Sequence, residues 1–198
     1  KNKYGVVAWF YYTSYTITNR FFQEAKYRLG LNCSIGGTGF ATSTQYLTQR
    51  GGWTTMSLTE DFEIQVEATL AGKRILWNHT TRIYDEKPTR IRASLRQKTR
   101  WAQGHWFVAL RNTGKVFSAL FAKRISLGEA LSLLTYMYSL STYLIALIQL
   151  VISLILMLPG FHYQAAPPTL SSLLSGLAIF AYSYFMLFYL ADWMDNGI

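Results

Sequence analysis

The sequence predicts an α/β unit that runs through a basic amphipathic helix into a membrane domain of two transmembrane helices. Three observations carry this expectation. Residues 1–88 alternate short apolar runs with glycine- and proline-marked stops. Residues 87–128 hold ten Lys or Arg and no acid. Residues 130–191 then contain no Asp, Glu, Lys or Arg at all. The boundaries follow: 1–88 for the α/β unit, 89–128 for the basic helix region, and 129–198 for the membrane domain.

Each element has a local reason. Residues 5–12 (GVVAWFYY) read as a strand or buried segment, from their β-branched and aromatic content. Residues 18–29 place Phe22, Ala25 and Leu29 at helical spacing, with Gly30 as the stop. Residues 33–42 (CSIGGTGFAT) form a glycine-punctuated strand and turn. Residues 44–50 are a short helix ended by Gly51-Gly52. A helix over 59–71 buries Phe62, Val66 and Leu70 and stops at Gly72. Residues 73–78 form a strand, with Ile75 and Trp77 on one face. Residues 85–88 turn, and Pro88 bars continuation into the next helix. That helix, 91–111, is amphipathic: Ile91, Leu95, Ala102, Trp106 and Ala109 follow one stripe and the other faces are basic. It is expected to lie in a membrane interface.

The uncharged stretch is broken by Pro159-Gly160 and Pro167-Pro168 into spans of about 130–158 and 170–191. At 1.5 Å per residue each covers about 30–40 Å, enough for a hydrocarbon core. Tyr136, Tyr138, Tyr143, Tyr182, Tyr184 and Tyr189 suit interfacial belts or a protein partner. The basic block marks the cytoplasmic side, so both ends of the segment are expected there. Anionic membrane lipid attracts such a block. Adjacency to a span argues against nucleic acid as its partner.

Composition narrows the class further. Of 198 residues 51% are hydrophobic and 15% charged, and the net charge is +9. A chain this apolar is not disordered. The single Cys33 excludes an internal disulfide framework and a four-cysteine zinc site. The chain opens at Lys1 without an initiator Met, as expected of a piece of a longer protein.

Two clusters carry chemistry. The first is Ser57-Leu58-Thr59-Glu60-Asp61-Phe62. Ser57 and Glu60 fit a capping box, and acids in a helix's first turn suit its dipole. The same carboxylates could instead serve as a general base toward a hydroxyl. The second is Gln97-Lys98-Thr99-Arg100-Trp101. Gln97, Arg100 and Trp101 share one helix face, and Gly104, one turn on, is expected to leave open space above it. An amide, a guanidinium and an indole suit a sugar and a phosphate. They equally suit an interfacial anchor with a snorkelling Arg.

Thr59-Glu60-Asp61 followed by Gln97-x-x-Arg100-Trp101, ahead of apolar spans, resembles the membrane-integrated family 2 glycosyltransferases. Cellulose, hyaluronan, chitin and poly-N-acetylglucosamine synthases belong to that group. Gly36–Phe40 looks like the family's glycine segment near the acceptor, and Gly51–Trp53 and Asp85–Pro88 are similar in type and position. The resemblance implies the C-terminal half of a GT-A domain and an inverting transfer. It implies Asp61 as base with Glu60 beside it. Thr59, Gln97, Arg100 and Trp101 would bind donor diphosphate and acceptor, and Gly37, Thr38 and Gly39 would form the acceptor-side loop. It also implies a nucleotide-sugar donor, UDP-linked in type, a glycan or lipid acceptor, and a divalent Mg or Mn. No metal ligand is assigned in this chain: the family's DxD motif is absent, since Asp61, Asp85, Asp192 and Asp195 form no such pair. The DxD-bearing half of the catalytic domain is expected outside this segment, and the segment alone is expected to be inactive. The competing class is a non-catalytic scaffold or transporter subunit that binds anionic lipid or a partner through its basic segment.

Overall fold

Every regular element among the described residues is a helix. The computed structural model describes residues 5–139, 148, 149, 151, 152, 155 and 170–196. The chain divides into two units, Lys1–Tyr138 and Ser139–Ile198. The helices of the first are α1 (Val6–Ile17), α2 (Glu24–Arg28), α3 (Thr44–Arg50), α4 (Glu60–Leu70), α5 (Ile91–Phe121) and α6 (Leu127–Met137). A π-helical stretch, Thr18–Gln23, joins α1 to α2. In the second unit, α7 spans Leu170–Asn196.

The α/β expectation, and with it the GT-A half, is therefore overturned: no strand occurs among the described residues. Residues 5–12 form the start of a helix, because α1 buries Ala8, Tyr11, Thr13 and Ile17 while Val6 and Phe10 stay exposed. Packing of one face outweighs strand propensity, which is a weak prior. Residues 33–42 and 73–78 are extended but form no ladder. They meet through one backbone bond, Cys33 N–H to the Ile75 carbonyl at 3.1 Å. The Asn32 side chain replaces the other rungs, donating to the Lys73 carbonyl at 3.0 Å and accepting from Ile75 N–H at 2.9 Å. Two segments pinned by a side chain do not make a sheet, and an isolated strand pair is marginal in water.

The core lies between α4, α5 and α6. Phe62 and Val66 of α4 meet Val108, Ala109, Val116 and Ala119 of α5, and Ala130, Leu133 and Met137 close the cluster from α6. Each large side chain buried here contributes about 1.5–3 kcal/mol as an upper figure. The turn into α6 passes Lys123 at φ 54 and is capped by Ser126, whose hydroxyl accepts from Glu129 N–H at 3.1 Å. Glu129 reaches back to accept from Asn32 N–H at 3.0 Å, tying α6 to the extended segment.

Helix α5 runs ten residues past its expected end at 111. Its buried stripe is Ser94, Gly104, His105, Val108, Ala109, Asn112, Val116 and Ala119, not the expected one. Ile91, Leu95 and Trp106 are exposed, and only Ala109 of the fully assigned stripe is buried. The packed face sits on a different row of the same helix, where Gly104 seats Thr59 and His105 stacks on Phe62 of α4.

Two membrane spans are likewise not found. One helix among the described residues is long and apolar enough to cross a membrane, Leu174–Met194 within α7. The expected first span, 130–158, is not one helix: α6 ends at Met137, and Tyr136 and Tyr138 pack onto α4 and α5. The apolar residues that mimicked the start of a span are core. The rest of that range, Tyr143 and the 159–168 connector lie largely or wholly outside the described residues. Tyr182 and Tyr189 of α7 are exposed.

The closest helix contact yields a test. A Cβ on Gly104 would sit 2.4 Å from Thr59 Oγ1 and 2.6 Å from its Cγ2. Gly104→Ala is expected to destabilise unit 1 by about 1–3 kcal/mol, the usual cost of overpacking. Adding Thr59→Ala should recover part of that loss. Urea unfolding of the three variants checks it, and equal stability of Gly104→Ala and wild type would show that α4 and α5 are not in contact there.

Candidate active site

Helix α4 opens on Thr59, which is 5% exposed and whose Oγ1 is buried with no hydrogen-bond partner among the described residues. The expected Ser57–Glu60 capping box is therefore not formed. The orphan amides ahead of the helix go elsewhere. Glu63, one turn in and 4% exposed, accepts from Met56 N–H at 2.9 Å and Ser57 N–H at 2.7 Å through one oxygen. Ser57 Oγ accepts from Thr59 N–H at 3.3 Å. Glu63 is the residue that sequence reasoning passed over here. Its signal was an acid inside a run, Phe62–Val66, that is apolar apart from it and Gln65. A charge on a helix buried all round must be paired.

Asp61 follows in the first turn, and its Oδ1 accepts from Phe62 N–H at 2.8 Å. Burial raises its carboxyl above the ordinary carboxylate range. The Phe62 amide opposes the rise, the neighbouring Glu60 adds to it, and Arg100 counters it. The glycine loop passes directly against this carboxylate: a Cβ on Gly37 would lie 3.2 Å from Asp61 Oδ2. Any side chain at this position would crowd the carboxylate and require it to shift.

The far side of the loop is clamped by residues 83–87. Gly39 has φ +74, and a Cβ there would meet Ile83 Cδ1 at 2.0 Å, so two independent constraints select glycine. Thr38 Oγ1 stands 3.5 Å from Asp85 Oδ2. Asp85 is paired with Lys87 at 2.7 Å, and Lys87 Nζ lies 4.5 Å over the Tyr15 ring of α1. The hydrogen bond from Lys87 holds the Asp85 carboxyl below its usual range.

Helix α5 contributes the second cluster. Gln97 is partly buried, and its Oε1 accepts from the Tyr11 hydroxyl at 3.1 Å. The Trp101 ring stands edge-on to Tyr11, with centroids 6.4 Å apart at 87°. Lys98 Nζ lies 5.4 Å over Tyr11 and 5.9 Å over Trp101. Arg100 is exposed, and its charge is felt at Asp61. The space expected above Gly104 is filled by Thr59. One turn past Trp101, His105 stacks on Phe62 at 4.3 Å and 16°, and meets the Tyr136 ring edge-on at 5.4 Å. Burial holds this imidazole below its ordinary pKa, opposed by the backbone of Met137 and Tyr136. Its Nδ1 is buried with no hydrogen-bond partner among the described residues. His105 lies on the Gln97–Trp101 face, so helical spacing alone could have found it. Tyr11 could not be found that way, since it comes from a segment read as a strand.

The fold thus joins Asp61 to the Gly37–Gly39 loop and sets the Arg100 charge within reach of Asp61. Gln97 and Trp101 are gathered by Tyr11, and no hydrogen bond among the described residues links them directly to Asp61. Glu60 is exposed beside Asp61. No three His, Cys, Asp or Glu side chains converge among the described residues. The described residues therefore offer no ligand set for the divalent Mg or Mn that the resemblance implies.

The desolvated Asp61 makes a prediction for stability. A carboxyl whose pKa is raised in the folded state favours folding only when protonated; above that pKa its charge costs stability. Asp61→Asn is expected to raise the melting temperature at pH 7. The gain should shrink as pH falls through the raised pKa and vanish below the ordinary carboxylate value of about 3.9. Thermal melts from pH 3 to 8 decide it; a variant less stable than wild type at pH 7 would mean the ionised carboxylate is stabilising.

Comparison with known proteins bears on what such a site belongs to. Residues 2–194 match the family described as glycosyl transferase family group 2. The probable glycosyltransferase YdaM of Bacillus subtilis (strain 168) is 32% identical over 92 residues, covering 46% of this chain and 22% of that protein. The probable glucomannan 4-beta-mannosyltransferase 7 of Oryza sativa subsp. japonica is 32% identical over 71 residues, covering 36% of this chain and 12% of that protein. The chain thus matches less than a quarter of the length of either relative. No solved structure matches it. On a match that runs almost from end to end, this chain belongs to the glycosyl transferase family group 2.

Proposed function

We propose that this chain supplies the catalytic base and the acceptor-binding face of an inverting, membrane-bound glycosyltransferase. Asp61 takes the proton from an acceptor hydroxyl as that oxygen attacks the anomeric carbon of a nucleotide-linked sugar. The bond from the anomeric carbon to the leaving phosphate oxygen breaks, and the nucleotide diphosphate departs with the electron pair. Arg100 neutralises the charge on that diphosphate, Trp101 offers its flat face to the acceptor ring, and Gln97 holds an oxygen beside it. Thr59 and the Gly37–Gly39 loop shape the wall around the base. The observation that carries this reading is the convergence at Asp61. A desolvated carboxylate has glycine backbone against it and feels an arginine's charge, groups that come from three segments distant in sequence. The raised proton affinity of Asp61 makes it a stronger base than an ordinary carboxylate.

A hexose is the donor sugar we favour, in keeping with the mannosyl transfer named for the rice relative, and a glycan or lipid hydroxyl is the acceptor. The length and apolarity of Leu174–Met194 support membrane attachment. The basic residues from 87 to 128 support a cytoplasmic active site.

In the full-length protein, Asp61→Asn is expected to lower sugar transfer by roughly 10²–10⁴-fold, the usual worth of a general base. The acid limb of the wild-type kcat/KM profile should lie above the ordinary carboxylate pKa. Radiolabelled transfer from nucleotide sugars measures both; wild-type turnover by Asp61→Asn removes Asp61 as the base.

Arg100→Lys keeps the charge and loses the planar fork. It should cost at least about tenfold in kcat, the decade that about 1.4 kcal/mol of transition-state stabilisation represents. Trp101→Phe should raise the acceptor KM less than Trp101→Ala, since an aromatic face remains. If both helix positions only anchor the protein, membrane insertion falls while the Michaelis constants stay put.

A further inference from the structure

We infer that Tyr11 of α1 is a positioning residue that fixes which way Gln97 faces, so that Gln97 meets the acceptor as a hydrogen-bond donor. The inference rests on the proposed acceptor role of the Gln97–Trp101 face.

A glutamine amide has one accepting oxygen and one donating NH₂, and its orientation is set by its partners. Here the Tyr11 hydroxyl donates its single proton to Gln97 Oε1 at 3.1 Å. The same phenol oxygen is 3.0 Å from Ser94 Oγ and accepts from it, because its own proton is already committed. The order is Ser94 O–H to Tyr11 O–H to Gln97 carbonyl, a chain in which each bond polarises the next. Tyr11 is 6% exposed and Ser94 8%, so water competes poorly for these groups. With Oε1 engaged by a buried donor, the Nε2 end of Gln97 is the end left for a ligand. It donates, so its partner is an acceptor oxygen, such as a sugar hydroxyl or ring oxygen.

The same phenyl ring sets the indole. Trp101 stands edge-on to Tyr11, and Lys98 lies over both rings. One side chain from α1 thereby holds the two α5 groups that suit a pyranose, an N–H donor and a flat apolar face. Nothing in the Gln-x-x-Arg-Trp pattern encodes this, since Tyr11 lies more than 80 residues upstream.

The test is a double-mutant cycle in the full-length enzyme with Tyr11→Phe, Gln97→Ala and the pair. Donors are UDP-glucose, UDP-N-acetylglucosamine and GDP-mannose, and acceptors are cellotetraose and mannotetraose. Tyr11→Phe keeps the ring and removes only the hydroxyl. It should raise the acceptor KM about tenfold with the donor KM unchanged. The pair should be no worse than Gln97→Ala alone, because Tyr11 acts through Gln97. Unfolding of the same four proteins should show coupling between the two positions. A wild-type acceptor KM in Tyr11→Phe, a multiplicative effect in the pair, or zero coupling on unfolding overturns the inference. Asp61→Asn runs alongside: its full activity would sink the transferase site itself. Its inactivity together with a silent Tyr11→Phe would sink only the role of Tyr11.

Discussion

Thr59 can seat on α5 only because residue 104 has no side chain. That contact fixes how far the N-terminus of α4 lies from α5, and much of the site follows from the distance. It sets Asp61 close enough to Arg100 for the guanidinium to act on the carboxyl. It lets Phe62 reach the His105 ring at 4.3 Å, which in turn orders Tyr136 of α6. A larger residue at 104 would push Thr59 and the start of α4 away from α5 and weaken the effect of Arg100 on Asp61.

The support behind this contact is polar as well as apolar. Glu63 and Asn32 are both buried, and each satisfies backbone groups that no regular element pairs: Glu63 those ahead of α4, Asn32 those of the segment at 73–75. Glu63 ties down the loop at Met56 and Ser57, while Asn32 bridges Lys73 and Ile75 and donates to Thr69 at 3.1 Å. Glu129 then links α6 to Asn32. Such groups are tolerated inside because their hydrogen bonds are made; losing one partner leaves the other desolvated and unpaired. The glycine loop gains its rigidity the same way, pressed between Asp61 on one side and Ile83 with Asp85 on the other.

The charge of Asp61 works against the stability of the fold. Asp61 sits where its charge is penalised by burial, next to a second carboxylate. A chain of net charge +9 has ample cation to neutralise it fully, yet Arg100 stays exposed and only partly offsets the burial. A carboxylate kept short of full neutralisation retains its affinity for a proton, in keeping with the base role proposed for it.

Local signals in the sequence determined a good deal. Gly30, Gly51 and Gly72 have positive φ and stand just past the ends of α2, α3 and α4, because a left-handed stop is a one-residue property. The clustering of Thr59-Glu60-Asp61 and of Gln97, Arg100 and Trp101 was also visible, being set by spacing along single helices. Tertiary structure alone decided the rest. Residues 5–12 became helical with Tyr11 reaching Ser94, Gln97 and Trp101 of α5, partners that no local window contains. Residues 130–137 looked like the start of a span because apolar side chains facing a lipid and facing Val108 and Val116 have the same composition. The space foreseen above Gly104 was taken by Thr59, and Tyr11 joined Gln97 across 86 positions. Such contacts between distant segments leave no periodicity to read, since each is fixed by where two helices cross and not by the residues beside it in the chain.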